Sequence, residues 1–350
     1  MQKEEPKRHH YIPQFILRRF NDSNGQICYW DIKTKKLEKR NTKSVFMNFN
    51  MYRDEINNTE NPTEIESLLS VFENEIADLI NTKIIDKNEI ILNRLELQKL
   101  RIFTSLLSFR SNLRMEQYKN AAFDEDTRRV LSAYQPDGNF EDLWKKELIV
   151  LSKTRVFEDI EKAKEIDPII KQDFLNDLHG YFITFVDARG GEFLITDTYP
   201  TLEIFPINYS INIHLHCMFP LSPTRMMILN HIMFKQEISD DSINKPMIML
   251  SKIKDKMIVP PKPKYEKNYN TFSYNDTFVY RVQKIYSKDV EYLNSLFLNE
   301  ARIGVVFSNS GKIINSIISY DKIDMTKQKF NDLENLLFKK NSDVEALTEF

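Results

Sequence analysis

Four ionisable residues stand where a folded chain rarely places them without a reason: His10, Glu66, Arg110 and Asp197. Arg110 falls in the middle of the apolar face of a predicted helix, and a buried arginine needs a carboxylate or a phosphate to replace its lost hydration. Histidine and carboxylate side chains are the usual groups for proton transfer near neutral pH. The set predicts either acid–base chemistry at an anionic group or a buried network of ion pairs.

The preceding predicted helix supplies carboxylates for Arg110. Glu66 and Glu73 are seven residues apart, so they stack on one side of that helix, at the edge of its apolar stripe. Two interpretations of Arg110 stay open: it forms a structural salt bridge, or it lies at the floor of an anion-binding pocket. The glutamates themselves could be ordinary solvated residues. Under the first reading, we predict that Arg110 is largely buried and paired with Glu66 or Glu73.

The candidates for substrate binding are His9, Gln14 and Arg18, which belong to the segment around His10, and Arg114, which lies near the apolar face that carries Arg110. Adjacent histidines point in different directions, so His9 and His10 cannot easily serve one metal ion. His10 opens a segment that must pack, and the nearby arginines would favour its neutral, basic form and hold a phosphate. The alternative is a histidine at the edge of the core that only holds the N-terminal segment in place.

Asp197 ends the apolar strand EFLIT and enters a turn that contains Pro200. A carboxylate in this position commonly caps the turn through its side chain. Its alternative role is to orient a reacting group or a divalent ion.

Composition excludes several classes of protein. The chain has 350 residues and a net charge of -2, which gives no case for binding nucleic acid or a membrane by charge over the whole surface. Only 7 residues are glycine, with none between Gly25 and Gly138, which excludes a GxGxxG dinucleotide loop. Cys28 and Cys217 cannot form a disulfide framework or a structural zinc site, so no structural zinc is expected.

The N-terminus is polar, and the apolar stretches are too short to cross a bilayer. We therefore expect a soluble, cytoplasmic protein with no membrane contact.

Hydrophobic periodicity predicts an α+β fold. It consists of a short N-terminal helix and a β-hairpin, a central helical bundle and a mainly antiparallel C-terminal sheet. The bundle begins with a helix after Pro62 and continues with one long helix over about 89–117 and a helical region over 141–178. We predict one compact domain and a tail, with the following parts: hairpin 9–45, helical part 62–178 and sheet part 180–307, all within domain 1–307, and a polar, helical tail 308–350.

The opening segment RHHYIPQFILRRF strongly resembles the start of a bacterial and fungal family known as domain of unknown function 4238. Looser similarities follow in IESLLSVFENEI, at Arg110, in EFLITD and in FPLSP, so the resemblance extends to about residue 307. The chain differs from the family pattern in the turn after Asp197, where two residues precede Pro200. The resemblance implies a fold group and carries no established activity.

Two functional hypotheses follow. The first is a hydrolase of phosphodiester or nucleotide substrates, nuclease-like, with a role in antiviral defence or as a toxin. In it His10 is the acid or base, Arg110 and Arg18 hold phosphate, and Glu66 and Asp197 orient a group or an ion. The cofactor is undetermined, with a divalent ion such as Mg²⁺ as one candidate. The second is a non-catalytic binding or scaffold module with a protein partner or a second copy, in which the same residues form a buried polar network.

Overall fold

The computed structural model describes residues 8–55, 58–206, 212–234, 257–268 and 271–323, and the single residues 330, 333 and 337. The chain divides into two compact units, each assembled from three parts of the sequence. Unit 1 consists of Met1–Pro13, Phe46–Tyr181 and Pro261–Tyr280. Unit 2 consists of Gln14–Val45, Phe182–Pro260 and Arg281–Phe350. The predicted hairpin, helical and sheet parts therefore do not follow the boundaries of the units.

The structure contains helices and strands in comparable number, which makes it an α+β protein, as the periodicity predicted. The helices are α1 (Gln14–Leu17), α2 (Glu64–Leu79), α3 (Arg94–Phe109), α4 (Asn112–Lys119), α5 (Glu125–Tyr134), α6 (Phe140–Lys153), α7 (Phe157–Lys162), α8 (Pro168–His179), α9 (Ser287–Glu300) and α10 (Ser310–Ile323). The strands are β1 (Arg8–His10), β2 (Ile27–Asp31), β3 (Lys36–Arg40), β4 (Met47–Phe49), β5 (Glu89–Asn93), β6 (Tyr181–Arg189), β7 (Ile195–Thr196), β8 (Thr201–Pro206), β9 (Asn212–Pro220), β10 (Arg225–His231), β11 (Lys262–Lys264), β12 (Thr277–Arg281), β13 (Gln283–Tyr286) and β14 (Gly304–Phe307).

Helix α2 follows the predicted apolar stripe. Ile65, Leu69, Phe72 and Ile76 recur at helical spacing and are all buried. This face packs against α3 and α6. The glutamates at the edge of the stripe are thereby brought to the border between the core of unit 1 and its surface.

The single long helix predicted over 89–117 is wrong, because the segment forms a strand and two helices. Asn93 ends β5 and caps α3: its side chain accepts from the Glu96 amide, and the Glu96 carboxylate accepts from the Asn93 amide. Arg110 terminates α3 with φ -84° and ψ 7°, and Ser111 caps α4 by accepting from the Arg114 amide. The apolar periodicity continues across Asn93 and Ser111, so it hides the two capping signals that divide the segment.

The helical region predicted over 141–178 is divided among α6, α7 and α8. Glu147 on α6 and Asp167 before α8 are both fully buried. Glu147 accepts from the Asp167 amide at 3.0 Å, and Asp167 caps α8 by accepting from the amides of Ile169 and Ile170. Burial, together with the adjacent Asp167 side chain, holds the pKa of Glu147 well above its ordinary value, because both disfavour the charged carboxylate.

We expect Glu147→Gln to stabilise unit 1 increasingly as pH rises. A folded-state pKa above the unfolded one means that stability is lost with rising pH, by at most about 1.4 kcal/mol per pH unit for one proton, until pH exceeds the folded pKa. Glutamine keeps the neutral shape and has no proton to lose. The melting temperature of the variant minus that of the wild type should therefore be larger at pH 8 than at pH 5. An equal difference at both pH values would contradict the raised pKa of Glu147.

Unit 2 contains two sheets. In the five-stranded sheet the order is β13-β6-β10-β9-β8, in which β9 pairs antiparallel with β8 and β10, while β13 and β6 are parallel. In the four-stranded sheet the order is β3-β2-β14-β7, and all the pairs are antiparallel. The predicted hairpin is the pair β2–β3. The strand predicted at EFLIT is shorter than expected, and β8 was not predicted.

Helices α9 and α10 pack against each other in the core of unit 2. Leu293 and Phe297 of α9 and Ile313, Ile317 and Tyr320 of α10 are all buried there. The first part of the predicted tail is therefore helical and contributes to the core. Beyond residue 323 the predicted tail lies outside the described residues, except for residues 330, 333 and 337, which are buried.

Candidate functional site

Strand β1 turns its two histidines to opposite faces. It pairs antiparallel with β4 in the register Arg8↔Phe49, His9↔Asn48 and His10↔Met47. Side chains alternate along a strand, so His9 lies on one face and His10 on the other. His9 is fully buried and His10 is half-buried. The predicted divergence of the two rings is thereby confirmed.

His9 is joined to Tyr52 in two ways. The Nδ1 atom of His9 accepts a hydrogen bond from the Tyr52 backbone amide at 2.8 Å. The two rings are stacked, with centroids 5.4 Å apart and planes 6° from parallel. Because Nδ1 accepts, it carries no proton, and the hydrogen bond assigns the neutral imidazole with its proton on Nε2.

Two ring donors cap the C-terminal end of α3. The Tyr52 hydroxyl donates to the Arg110 carbonyl at 3.0 Å, and the Trp144 indole N–H donates to the Phe109 carbonyl at 3.0 Å. The last carbonyls of a helix have no partner within the helix, and inside a core they need donors from elsewhere. The two rings thus fix the helix end and the backbone from which the Arg110 side chain projects.

Arg110 is buried and paired, as predicted. Its side chain is 1% exposed, and its Nη2 lies 2.6 Å from Oε1 of Glu73, whose side chain is 20% exposed. Burial by itself lowers the pKa of Arg110, but the charge of Glu73, together with Tyr52 and Glu66, reverses this and raises it. Within the described part of the chain, none of the three guanidinium nitrogens of Arg110 makes a hydrogen bond of regular geometry, so its contact with Glu73 is an ion pair.

Glu66 is the titratable group of the cluster. Burial raises the pKa of Glu66 to about 7, the Arg110 charge partly opposes this rise, and the Glu73 charge adds to it. Among the described residues Glu66 forms no ion pair or hydrogen bond, so its carboxyl is not committed to a partner. Burial also raises the pKa of Tyr52, with Arg110 opposing and the two glutamates adding to the rise. Tyr52, Arg110, Glu73 and Glu66 therefore form one electrostatic cluster in unit 1.

This cluster can accept or release a proton at Glu66 near neutral pH beside a fixed positive charge. A group whose pKa is close to the working pH is effective in proton transfer. Strongly shifted pKa values beside a specific charge partner are typical of functional sites, although structural networks show them too. We call Glu66, Glu73, Arg110, Tyr52 and His9 the Arg110 cluster.

Arg114 lies on α4 and is half-buried. Its Nη1 donates to Oε1 of Gln117 on the same helix at 3.0 Å. This contact lies within α4, and the substrate-binding role predicted for Arg114 remains a prediction.

Gln14 and Arg18 belong to unit 2. The Gln14 amide donates to the Thr42 carbonyl at 2.8 Å and accepts from the Thr42 hydroxyl at 2.9 Å, so both ends of the side chain are used. Arg18 is exposed. The substrate-binding roles predicted for both residues remain predictions.

Asp197 also belongs to unit 2 and caps a turn. Its Oδ1 accepts from three successive amides, those of Arg302, Ile303 and Gly304, at 2.9, 2.8 and 3.1 Å. These bonds hold the turn that leads into β14, and β14 pairs with β7. They account for the burial of the carboxylate, so we leave Asp197 out of the Arg110 cluster, and its predicted catalytic role stays a prediction.

Sequence reasoning missed Tyr52 and Trp144. Each donates a hydrogen bond from its ring substituent or ring N–H to a distant backbone carbonyl, 58 residues away for Tyr52 and 35 residues away for Trp144. No spacing rule detects such a contact. One signal was available, since Trp144 is one of only 2 tryptophans in the chain. A buried indole N–H usually requires an acceptor.

The described residues contain no group of three or more His, Cys, Asp or Glu side chains arranged to hold a metal ion. No helix in the described part of the chain is long and apolar enough to span a membrane.

The fold and the cluster together define an α+β protein with a buried His, Tyr, Arg and Glu network that begins at its N-terminal strand. The chain belongs to the family described as Protein of unknown function (DUF4238), which matches residues 8–312 and thus every residue of the Arg110 cluster. No curated protein and no solved structure matches the chain.

Proposed function

We propose that the protein is a hydrolase of phosphodiester or nucleotide substrates and that Glu66 is its general acid or base. The supporting observation is the carboxyl of Glu66, whose pKa burial raises to about 7 beside the Arg110–Glu73 pair. At neutral pH such a group is present in both protonation states. It can therefore take a proton from an attacking water and return one to a leaving oxygen.

Arg110 acts in this proposal as a positioning residue. Its side chain is 1% exposed and paired with Glu73, so contact with a substrate phosphate, the role predicted from sequence, is not supported by its burial. Its charge instead limits how far burial raises the Glu66 pKa. His9 and Tyr52 hold the end of α3 from which Arg110 projects.

A divalent ion fits the Arg110 cluster poorly. Mg²⁺ is usually bound by carboxylates that no other charge neutralises. Glu73 is already paired with Arg110, which leaves Glu66 alone. The proposed reaction therefore uses no metal ion.

The proposal places the protein in the cytoplasm, because both of its cysteines are free thiols, which suits a reducing compartment. A role in defence or as a toxin is also part of the proposal.

We expect Glu66→Gln to lower kcat by about 100-fold or more on bis(p-nitrophenyl) phosphate or on an oligonucleotide. The wild-type pH–rate profile should show an inflection near pH 7 that the variant lacks. Burial disfavours the ionised carboxylate, so stability falls as pH rises from the unfolded value of 4.5 to about 7, and the variant should melt no lower than the wild type at pH 8.

Glu64→Gln is the matched control, because Glu64 lies on the same helix and pairs with Lys153 at 2.9 Å. It should retain wild-type activity. Full activity of Glu66→Gln would refute the catalytic role of Glu66. His10→Ala in the same assay tests the remaining histidine: lost activity at an unchanged melting temperature supports an acid–base role, and retained activity rejects it.

The second candidate is a non-catalytic binding or scaffold module. The complete burial of His9, Tyr52 and Arg110 favours it, because a sealed network holds β1 to the helices without meeting a substrate. This candidate expects His9→Ala to lower the melting temperature and Glu66→Gln to leave every activity unchanged. A protein partner or a second copy would then be the ligand.

A further inference from the structure

The β1–β4 ribbon has a second face, opposite to the one that carries His9 and Asn48. Directly opposed residues of an antiparallel pair share a face, so Arg8 and Phe49 lie together there, next to His10 and Met47. Phe49 is 63% exposed and Arg8 is exposed as well. A large aromatic side chain this exposed gains little from folding, which makes it a candidate for contact with a ligand.

Arg8 and Phe49 form a cation–π pair. The guanidinium carbon of Arg8 lies 6.0 Å from the centroid of the Phe49 ring. Across the described ranges, Arg8 makes no ion pair with a carboxylate. In the part of the chain that the structure describes, the face therefore presents a flat apolar ring beside a positive charge that no carboxylate pairs with.

A second cation–π pair in unit 1, with an exposed ring and a half-buried arginine, provides the comparison. Arg94 lies 4.7 Å from the ring of Phe272, which is 57% exposed. Arg94, however, is paired with Asp276 at 2.7 Å and also donates to the Ser273 carbonyl. The charge of Arg94 is therefore neutralised within the fold. Of these two pairs, Arg8–Phe49 is the one that offers charge complementarity to an anion.

We infer that the Arg8–Phe49 face binds single-stranded nucleic acid, with an unpaired base stacked on Phe49 and the adjoining phosphate against Arg8. This inference rests on the proposed function, since it names the phosphodiester substrate. Every base has a π-face, but only an unstacked base offers it to a side chain, which selects a single strand over a duplex. An exposed ring beside a free arginine is the combination that such binding requires.

The test is the fluorescence anisotropy of a labelled oligothymidylate about 12 nucleotides long, within the usual site size of such proteins. We expect Phe49→Ala to weaken binding about tenfold or more. Arg8→Ala should weaken binding and reduce the slope of log K against log salt by about 0.7, the contribution of one phosphate contact on a single strand. Phe272→Ala is the control and should bind like the wild type. Melting temperatures should show that all three variants fold.

Wild-type affinity in Phe49→Ala, an equal loss in Phe272→Ala, or no binding by the wild type would each overturn the inference. One further result would overturn it: no oligonucleotide binds, and copies of the chain associate in a way that Phe49→Ala abolishes. The face would then be a protein interface.

The failure of this inference can be separated from the failure of the proposed function. Binding that depends on Phe49, without any cleavage that depends on Glu66, supports the inference and rejects the hydrolase. Cleavage that depends on Glu66, with an unchanged KM for oligonucleotide in Phe49→Ala, rejects the inference and supports the hydrolase.

Discussion

Replacing Arg110 with alanine is expected to lower the free energy of unfolding of unit 1 by about 3–5 kcal/mol. The substitution leaves the Glu73 carboxylate at the edge of the core without its partner 2.6 Å away, and it removes a fully buried side chain from the packing. It is expected to raise the Glu66 pKa further, because the positive charge that opposes the effect of burial is gone.

The position of the two tryptophans, one in each unit, allows the unfolding of unit 1 to be followed by fluorescence. Trp144 lies in unit 1 and Trp30 in unit 2, so in a Trp30→Phe background the fluorescence reports on unit 1 alone. Urea unfolding followed in this way gives the change in free energy. Arg114→Ala is the control: that side chain is half-buried and, among the described residues, bonds Gln117 alone, so its loss should cost less than about 1 kcal/mol.

A second pair of variants tests whether the interaction itself matters. Arg110→Met keeps most of the volume and removes the charge, and Glu73→Gln removes the opposite charge. The double variant should lose less than the sum of the single losses, because each single change leaves one charge unpaired. Additive losses, or an Arg110→Ala protein that unfolds like the wild type, would contradict a buried pair.

The second large effect is expected in unit 2 from Arg225→Ala. Arg225 on β10 and Asp187 on β6 are both buried, and two contacts join them, Nε to Oδ1 at 2.5 Å and Nη2 to Oδ2 at 3.3 Å. Removing the guanidinium leaves a buried carboxylate without its main partner, which costs about 3–5 kcal/mol. Trp30 fluorescence in a Trp144→Phe background should report the loss.

Arg189 provides the control for this prediction. It approaches the same Asp187 carboxylate at 3.6 Å, but its side chain is 49% exposed. Exposed ion pairs contribute about 0–1 kcal/mol, so Arg189→Ala should have a small effect. Equal losses in the two variants would show that proximity to Asp187, and not burial, determines the cost.

The sequence predicted those features that depend on local periodicity. Alternation identified the β2–β3 hairpin, and the stripe of Ile65, Leu69 and Phe72 identified α2. The position of Arg110 in an apolar face predicted its burial and its pairing with Glu66 or Glu73, of which Glu73 is the partner, because a charge in that position has few other ways to be compensated.

Features that depend on distant partners escaped prediction. Asp197 was expected to cap its own turn, but the amides that it caps are 105 to 107 residues further along the chain. The rings of Tyr52 and Trp144 bind carbonyls at the end of a helix whose end was itself misplaced. The capping side chains of Asn93 and Ser111 interrupt a pattern that is otherwise continuous, so hydrophobicity alone could not locate the breaks.

The assembly of each unit from three separate parts of the chain has a consequence for synthesis on the ribosome. Strand β1 emerges first, but the three-stranded sheet of unit 1 joins β5 to β12, whose last residue is Arg281. At the usual rates of translation, that residue is added about 15–60 s after the first. A nascent chain that ends before Thr277 lacks β12, so β5 and β11 of unit 1 are without the strand that joins them.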